Sequence, residues 1–149
     1  MLKATVNLMP PPYLRYKGVP AYEQATKRKW EFLKKWFREE TKGQLIRRGR
    51  YKQYYLAFEI VTKNNKTVSP EKLVSVFTTL FLDALQKFRV IRSTRQCDCI
   101  GSLGWRIYKG NVKGNKINCY IIDESEVTAW LKRNLYFSDL QTYQKKTKK

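Results

Sequence analysis

Leu73, Val76, Phe77, Leu80, Phe81, Ala84, Leu85 and Phe88 recur at the spacing of one face of an α-helix. A stripe this continuous runs for roughly four turns and cannot be left in water. It requires a broad apolar partner, which predicts a core helix laid across a β-sheet. Pro70 fits the first helical position, with Ser69 as a cap. The stripe is a packing feature, and none of the chemistry is assigned to it.

The partner sheet is visible on both sides of that helix. "LKATVNL" alternates as a strand and is ended by "MPPPY", whose prolines cannot donate to a ladder. "YKQYYLAFEIVT" puts Tyr54, Leu56, Phe58 and Ile60 on one face and Glu59 on the other. Residues 97–109 and 116–122 read as two further strands, paired as a hairpin through the Gly- and Asn-rich "KGNVKGNK".

Two more helices complete the pattern. From Tyr22 to Lys42, Ala25, Leu33, Trp36 and Phe37 share a face, and Gly43 is the stop signal. Asp123 and Glu126 have capping-box spacing before Val127, Trp130, Leu131 and Leu135. The expected order is β-α-β-α-β-β-α, an α+β fold with a mixed sheet of about four strands. The expected organisation is one domain over residues 1–140 and a basic, mobile tail over 141–149.

Charge narrows the partner. Lys and Arg number 31 against 12 Asp and Glu, a formal net charge of +19. In a chain with 14% aromatic residues this is a folded domain repelling itself, which a polyanion would relieve. The absence of histidine removes the usual general base and the commonest zinc ligand. Cys97, Cys99 and Cys119 form neither an even disulfide framework nor a metal knuckle, so reduced thiols are expected. No targeting peptide or membrane-spanning run is evident, and a cytoplasmic protein with no membrane partner is expected.

The landmarks together resemble the RusA-type Holliday-junction resolvases, a family of crossover junction endodeoxyribonucleases. The resemblance covers about residues 1–123: the opening strand and Pro-rich turn "VNLMPPPYLRY", the basic helix, the second strand, the "FLDALQKF" helix end, and the closing "RQCDCIGSLGWRIYKGNVKGNKINCYIID". It implies a RusA-like scaffold, a homodimer, branched DNA as partner, and a recombination or replication setting of the kind found on phages and other mobile elements. It also implies Mg²⁺ held by aspartates at the start of the core helix and in the loop after it.

Those acids are where the chain departs from the family pattern. Aligning on "DAL" places Leu73 and Ser75 at the aspartate positions, and the family's helix lysine falls near Thr79. The following loop reads "IRSTRQ", with Arg92 and Arg95 in place of carboxylates. A hard cation needs oxygen ligands. Glu71 and Asp98 are the remaining candidates for a relocated Mg²⁺ site, whereas Asp83 reads as a polar-edge residue making local pairs. The leading expectation is therefore DNA binding without cleavage and without a cofactor. An active Mg²⁺-dependent junction endonuclease with relocated acids is one alternative, and an RNA- or ribosome-associated basic protein is another.

Arginines are the preferred phosphate ligands, because a planar fork binds two oxygens at once. Residues 27–52 hold eleven basic side chains and three acids, and residues 87–116 hold eight and one. The candidates are Lys27, Arg28, Arg47, Arg48, Arg50, Arg92, Arg95, Lys109 and Lys113. Both stretches are expected at the same end of the sheet. Tyr13, Tyr16, Tyr51 and Tyr55 can stack on unpaired bases or fill half-buried strand edges.

Overall fold

A computed structural model describes residues 1–8, 27–46, 51–62, 70–92, 99–110 and 114–134, with backbone alone at 27–29, 70, 72 and 99–100. Strand β1 (Leu2–Asn7) precedes helix α1 (Lys27–Thr41), strand β2 (Tyr54–Thr62), helix α2 (Pro70–Lys87) and strand β3 (Cys99–Lys109). Strand β4 (Lys116–Asp123) leads through a single 3₁₀ turn, Glu124–Glu126, into helix α3 (Val127–Asn134). The chain is a single α+β domain in the expected order. The parts of the predicted elements at 22–26 and 135, and the tail at 141–149, lie outside the described residues.

The sheet runs β1-β4-β2-β3. β2 pairs parallel with β3 through the α2 crossover and antiparallel with β4, which pairs antiparallel with β1. The expected β3–β4 hairpin is therefore not formed, because β2 lies between the two strands. The cause is in β2, whose residues are buried on both faces apart from half-buried Tyr55. Such a strand gains most with a neighbour on each side. The connection from Gly110 to Asn115 thus crosses the end of β2, and Gly110 N–H donates to Thr62 O at 3.0 Å. A Cβ on Gly110 would stand 2.6 Å from Val61 Cγ1, so the crossing is tight enough to need glycine.

On one face of the sheet lies the core. Leu33 and Phe37 of α1 and Leu73, Val76, Phe77, Leu80, Phe81, Ala84 and Leu85 of α2 are buried with Leu56, Phe58, Ile60, Ile117, Cys119 and Ile121. The expected stripe is in place, with Phe88 half-buried just past the helix end. Edge-to-face contacts Phe37–Phe77 (5.8 Å), Phe37–Phe81 (6.3 Å) and Phe58–Phe81 (6.2 Å) tie both helices to the sheet. Asp83 reaches across to α1 rather than along its own helix, 3.5 Å from Arg38 Nε. Cys119 is a free, buried thiol, and burial pushes its pKa far up.

The two sheet edges are finished differently. Along β1, the Gln44 amide accepts from Thr5 N–H at 2.8 Å and donates to Thr5 O at 3.2 Å, occupying the edge as another strand would. Gln44 is held there by the end of α1, where Gly43 turns the chain at φ +88°. Along β3 the residues are more open: Trp105, Ile107 and Tyr108 are 40%, 38% and 43% exposed. A bulge between Leu56 and Phe58 of β2 sets Leu103 and Gly104 (φ +93°) opposite Ala57, bending this edge.

Candidate nucleic-acid interface

Two of the basic stretches touch at one described point, beside Lys52 and Arg92. Tyr51 and Ile91 form an isolated parallel bridge outside the main ladder, with Tyr51 N–H donating to Val90 O at 2.8 Å. Both residues are buried, so the junction is anchored in the core. Arg50 is covalently joined to Tyr51, and Arg92 to Ile91. The bridge therefore sets Lys52 and Arg92 at the same end of the sheet, ahead of the first residues of β2 and β3. Arg92 and Lys52 are exposed there. Arg47, Arg48, Arg50 and Arg95 lie outside the described residues.

Helix α2 feeds this junction through a tight C-terminal turn. Val90 N–H donates to Leu85 O (2.8 Å) and Arg89 N–H to Gln86 O (3.1 Å), the paired bonds of a Schellman motif. Arg89 occupies its left-handed position at φ 59°, where glycine is ordinarily found. An L-residue held there costs about 1 kcal/mol relative to glycine. The side chain is exposed beside Lys87, which stands in the last turn of α2 and complements the helix dipole. Sequence reasoning placed Arg89 in the basic loop but not among the leading residues. No single-sequence signal marks a left-handed arginine.

The remaining basic candidates are elsewhere. Lys109 ends β3 opposite Thr62, separated from Cys99 by the whole strand, about 30 Å. It is exposed at the opposite end of the sheet from Arg92, so of the described residues 51–52 and 87–92 share one end while Lys109 and Lys116 lie at the other. The parallel pairing of β3 with β2 is the reason, since it carries the chain away from the Tyr51–Ile91 bridge. Lys113 lies outside the described residues. Lys27 and Arg28 open α1, where the backbone alone is described. Of the candidate stacking tyrosines, Tyr51 is buried and Tyr55 half-buried, in line with packing roles. Tyr13 and Tyr16 lie outside the described residues.

On the face away from α1 and α2, one residue from each strand lines up in register: Thr5, Asn118, Glu59 and Arg106. Thr5 Oγ1 donates to Asn118 Oδ1 at 2.7 Å, and Asn118 Nδ2 donates to Glu59 Oε1 at 2.7 Å. Arg106 donates through Nε (2.8 Å) and Nη2 to Glu59 Oε2. The Tyr120 and Tyr108 hydroxyls complete the shell around Oε1 at 3.1 and 3.4 Å. Burial would raise the Glu59 pKa, but the hydrogen bonds from Arg106, Asn118 and Tyr120 and the Arg106 charge outweigh it and hold it below the usual carboxylate range. Tyr120 is pushed far up by burial and by the Glu59 charge. A carboxylate saturated with donors in this way is a structural hub, not a base or a free metal ligand. Sidedness had placed Glu59 on this face, but the partners depend on strand order.

Helix α3 covers part of that face. Asp123 caps the 3₁₀ turn that leads into it, accepting from Ser125 N–H at 3.1 Å and Ser125 Oγ at 2.6 Å. Glu126, the other member of the expected capping box, accepts from the Met1 amino group at 2.7 Å. Trp130 then meets Tyr120 edge-to-face at 6.2 Å. Between helix and sheet remains a cleft of about 150 Å³, bordered by Leu103, Arg106, Tyr120, Trp130, Leu131 and Asn134 among others.

The Mg²⁺ implied by the resemblance can be tested against these groups. Glu71 stands exposed in the first turn of α2, and Asp98 lies outside the described residues. Among the described residues no three His, Cys, Asp or Glu side chains converge in a way that could hold a metal ion. The described residues do not fit the ion, and no catalytic step is derived through it. No helix among them is long and apolar enough to cross a membrane. The chain matches no protein-family model and no curated protein.

Proposed function

We propose that this chain is a DNA-binding protein, built on a scaffold resembling the RusA-type resolvases, that grips branched or structured DNA by its phosphates without cleaving it. The observation that carries the reading is the Tyr51–Ile91 bridge, beside which Lys52, Arg89 and Arg92 stand exposed at one end of the sheet. Phosphates are bound by convergent cations, and convergence is what a charge run in sequence lacks. The net charge of +19 supplies long-range attraction, and Arg89, held at a costly φ beside the bridge, adds a guanidinium to the same end. A homodimer and a cytoplasmic setting are part of the proposal; β3 ends the sheet with no further strand paired to it among the described residues, which supports the former, since such edges invite strand pairing.

Electrophoretic mobility shifts test the reading, comparing a four-way junction with linear duplex of the same sequence, with and without Mg²⁺. Preferential junction retardation without incision is expected. Equal weak binding to both overturns the structural preference, and Mg²⁺-dependent incision abolished by Glu71→Ala overturns the absence of cleavage. Stronger competition by an A-form RNA duplex would transfer the site to RNA.

A further inference from the structure

The cleft between α3 and the outer face of the sheet has no role in the grip just described. We infer that it is a pocket for one unpaired nucleobase, so that the protein holds single-stranded or extruded segments by a base as well as by phosphates. The inference rests on the nucleic-acid reading for its class of ligand, while its site lies apart from the Tyr51–Ile91 junction.

Size, walls and charge each point the same way. A space of about 150 Å³ is large enough for one aromatic ring. Tyr120 and Trp130, in edge-to-face contact with one another, both border the cleft, so a flat ring entering it can lie against an aromatic side chain. Leu103 and Leu131 supply apolar walls, and the bulge at Gly104 turns this stretch of β3 out of the regular ladder. Base–aromatic stacking tolerates any sequence because every base has a flat π-face.

Arg106 gives the pocket a polar side. Its Nε and Nη2 are committed to Glu59, and its guanidinium lies 5.4 Å from the centre of the Tyr108 ring. Nη1 has no hydrogen-bond partner among the described residues. Three N–H groups, two of them on Nη1, are thus left for an acceptor on a base edge or the adjoining phosphate, and Glu59 keeps the fork from swinging away. Lys3, aligned with Tyr120 in the β1–β4 register, and Lys132 and Arg133 in the last turn of α3 are exposed nearby. The nearest acids are spoken for in part: Glu59 by Arg106 and Glu126 by the Met1 amino group, with Glu124 exposed at the start of the turn. A polyanion therefore meets a cationic rim around an aromatic cleft.

The probe is a fluorescein-labelled single-stranded oligonucleotide of mixed sequence, compared with the same backbone in which alternate bases are replaced by abasic sites. Anisotropy titrations with the full chain at fixed salt are expected to show about tenfold weaker binding to the abasic strand. The salt slope should be unchanged, because the phosphates are the same. Trp130→Ala should remove the discrimination; should that variant fail to fold, the two-strand comparison on the unaltered protein still decides. Equal affinity for both strands overturns the base pocket and leaves the phosphate grip standing. Binding to neither strand, nor to duplex or junction DNA, removes both.

Discussion

Two regions of the same sheet carry charge in opposite ways. On the outer face, Glu59 and Arg106 lie mid-sheet with their partners arranged in register, and the carboxylate has no lone pair left to offer. At the Tyr51–Ile91 end, Lys52, Arg89 and Arg92 are exposed and no acid stands in either neighbouring stretch of 47–52 or 87–92. The first arrangement holds the protein together. The second places exposed cations at the surface, where their charge contributes little to stability. A position's burial and partners, rather than its charge, separate the two roles.

The largest effect that would break this distinction concerns Glu59. Glu59→Ala leaves Arg106 without its counter-charge on a covered face, and should cost about 3 kcal/mol, taken low in the usual range because Arg106 is partly exposed. Chemical denaturation measures it; a loss below about 0.5 kcal/mol would show the hub to be ornamental. Acid should act through the same group. Its folded pKa is depressed, so its contribution is fully present above about pH 4.5, near the unfolded value, and is lost as pH falls through the folded value. Glu59→Gln should flatten the pH dependence of stability in that acidic window and leave it unaltered between pH 6 and 8.

At the other end the expected stability effects are smaller and of opposite sign. Arg89→Gly should stabilise the protein by about 1 kcal/mol, because glycine adopts the left-handed position without strain. The same substitution should weaken DNA binding several-fold. A variant that gains stability and keeps full affinity would mean that Arg89 is an accident of the turn. Gly110→Ala sharpens the fold side of the comparison: crowding Val61 where the chain crosses β2 should cost about 1 kcal/mol or more, without changing affinity.

How much could be read in advance follows from the range of each interaction. The α2 stripe and the face of β2 bearing Leu56, Phe58 and Ile60 are local patterns with periods of 3.6 and 2, and both are in the structure as read. Strand order is not local. "KGNVKGNK" has the composition of a hairpin loop, yet the doubly buried β2 takes the place between the strands it connects. Glu59 was legible as facing away from the core, but Asn118, Arg106 and Tyr120 become its partners only once that order is known. The basic stretches were legible as composition. That Lys52 and Arg92 flank the Tyr51–Ile91 bridge while Lys109 is carried to the far end depends on the parallel crossover.

The salt dependence of DNA binding is the measurement that bears most directly on the central claim. Arg92→Ala combined with Arg95→Ala should lower affinity for a four-way junction and reduce the slope of log K against log salt by about one unit per phosphate contact removed. Lys109→Ala, at the opposite end of the sheet, should change that slope less. A slope unchanged by the arginine pair would contradict the account, because it would place the DNA away from the end of the sheet that carries the Tyr51–Ile91 bridge.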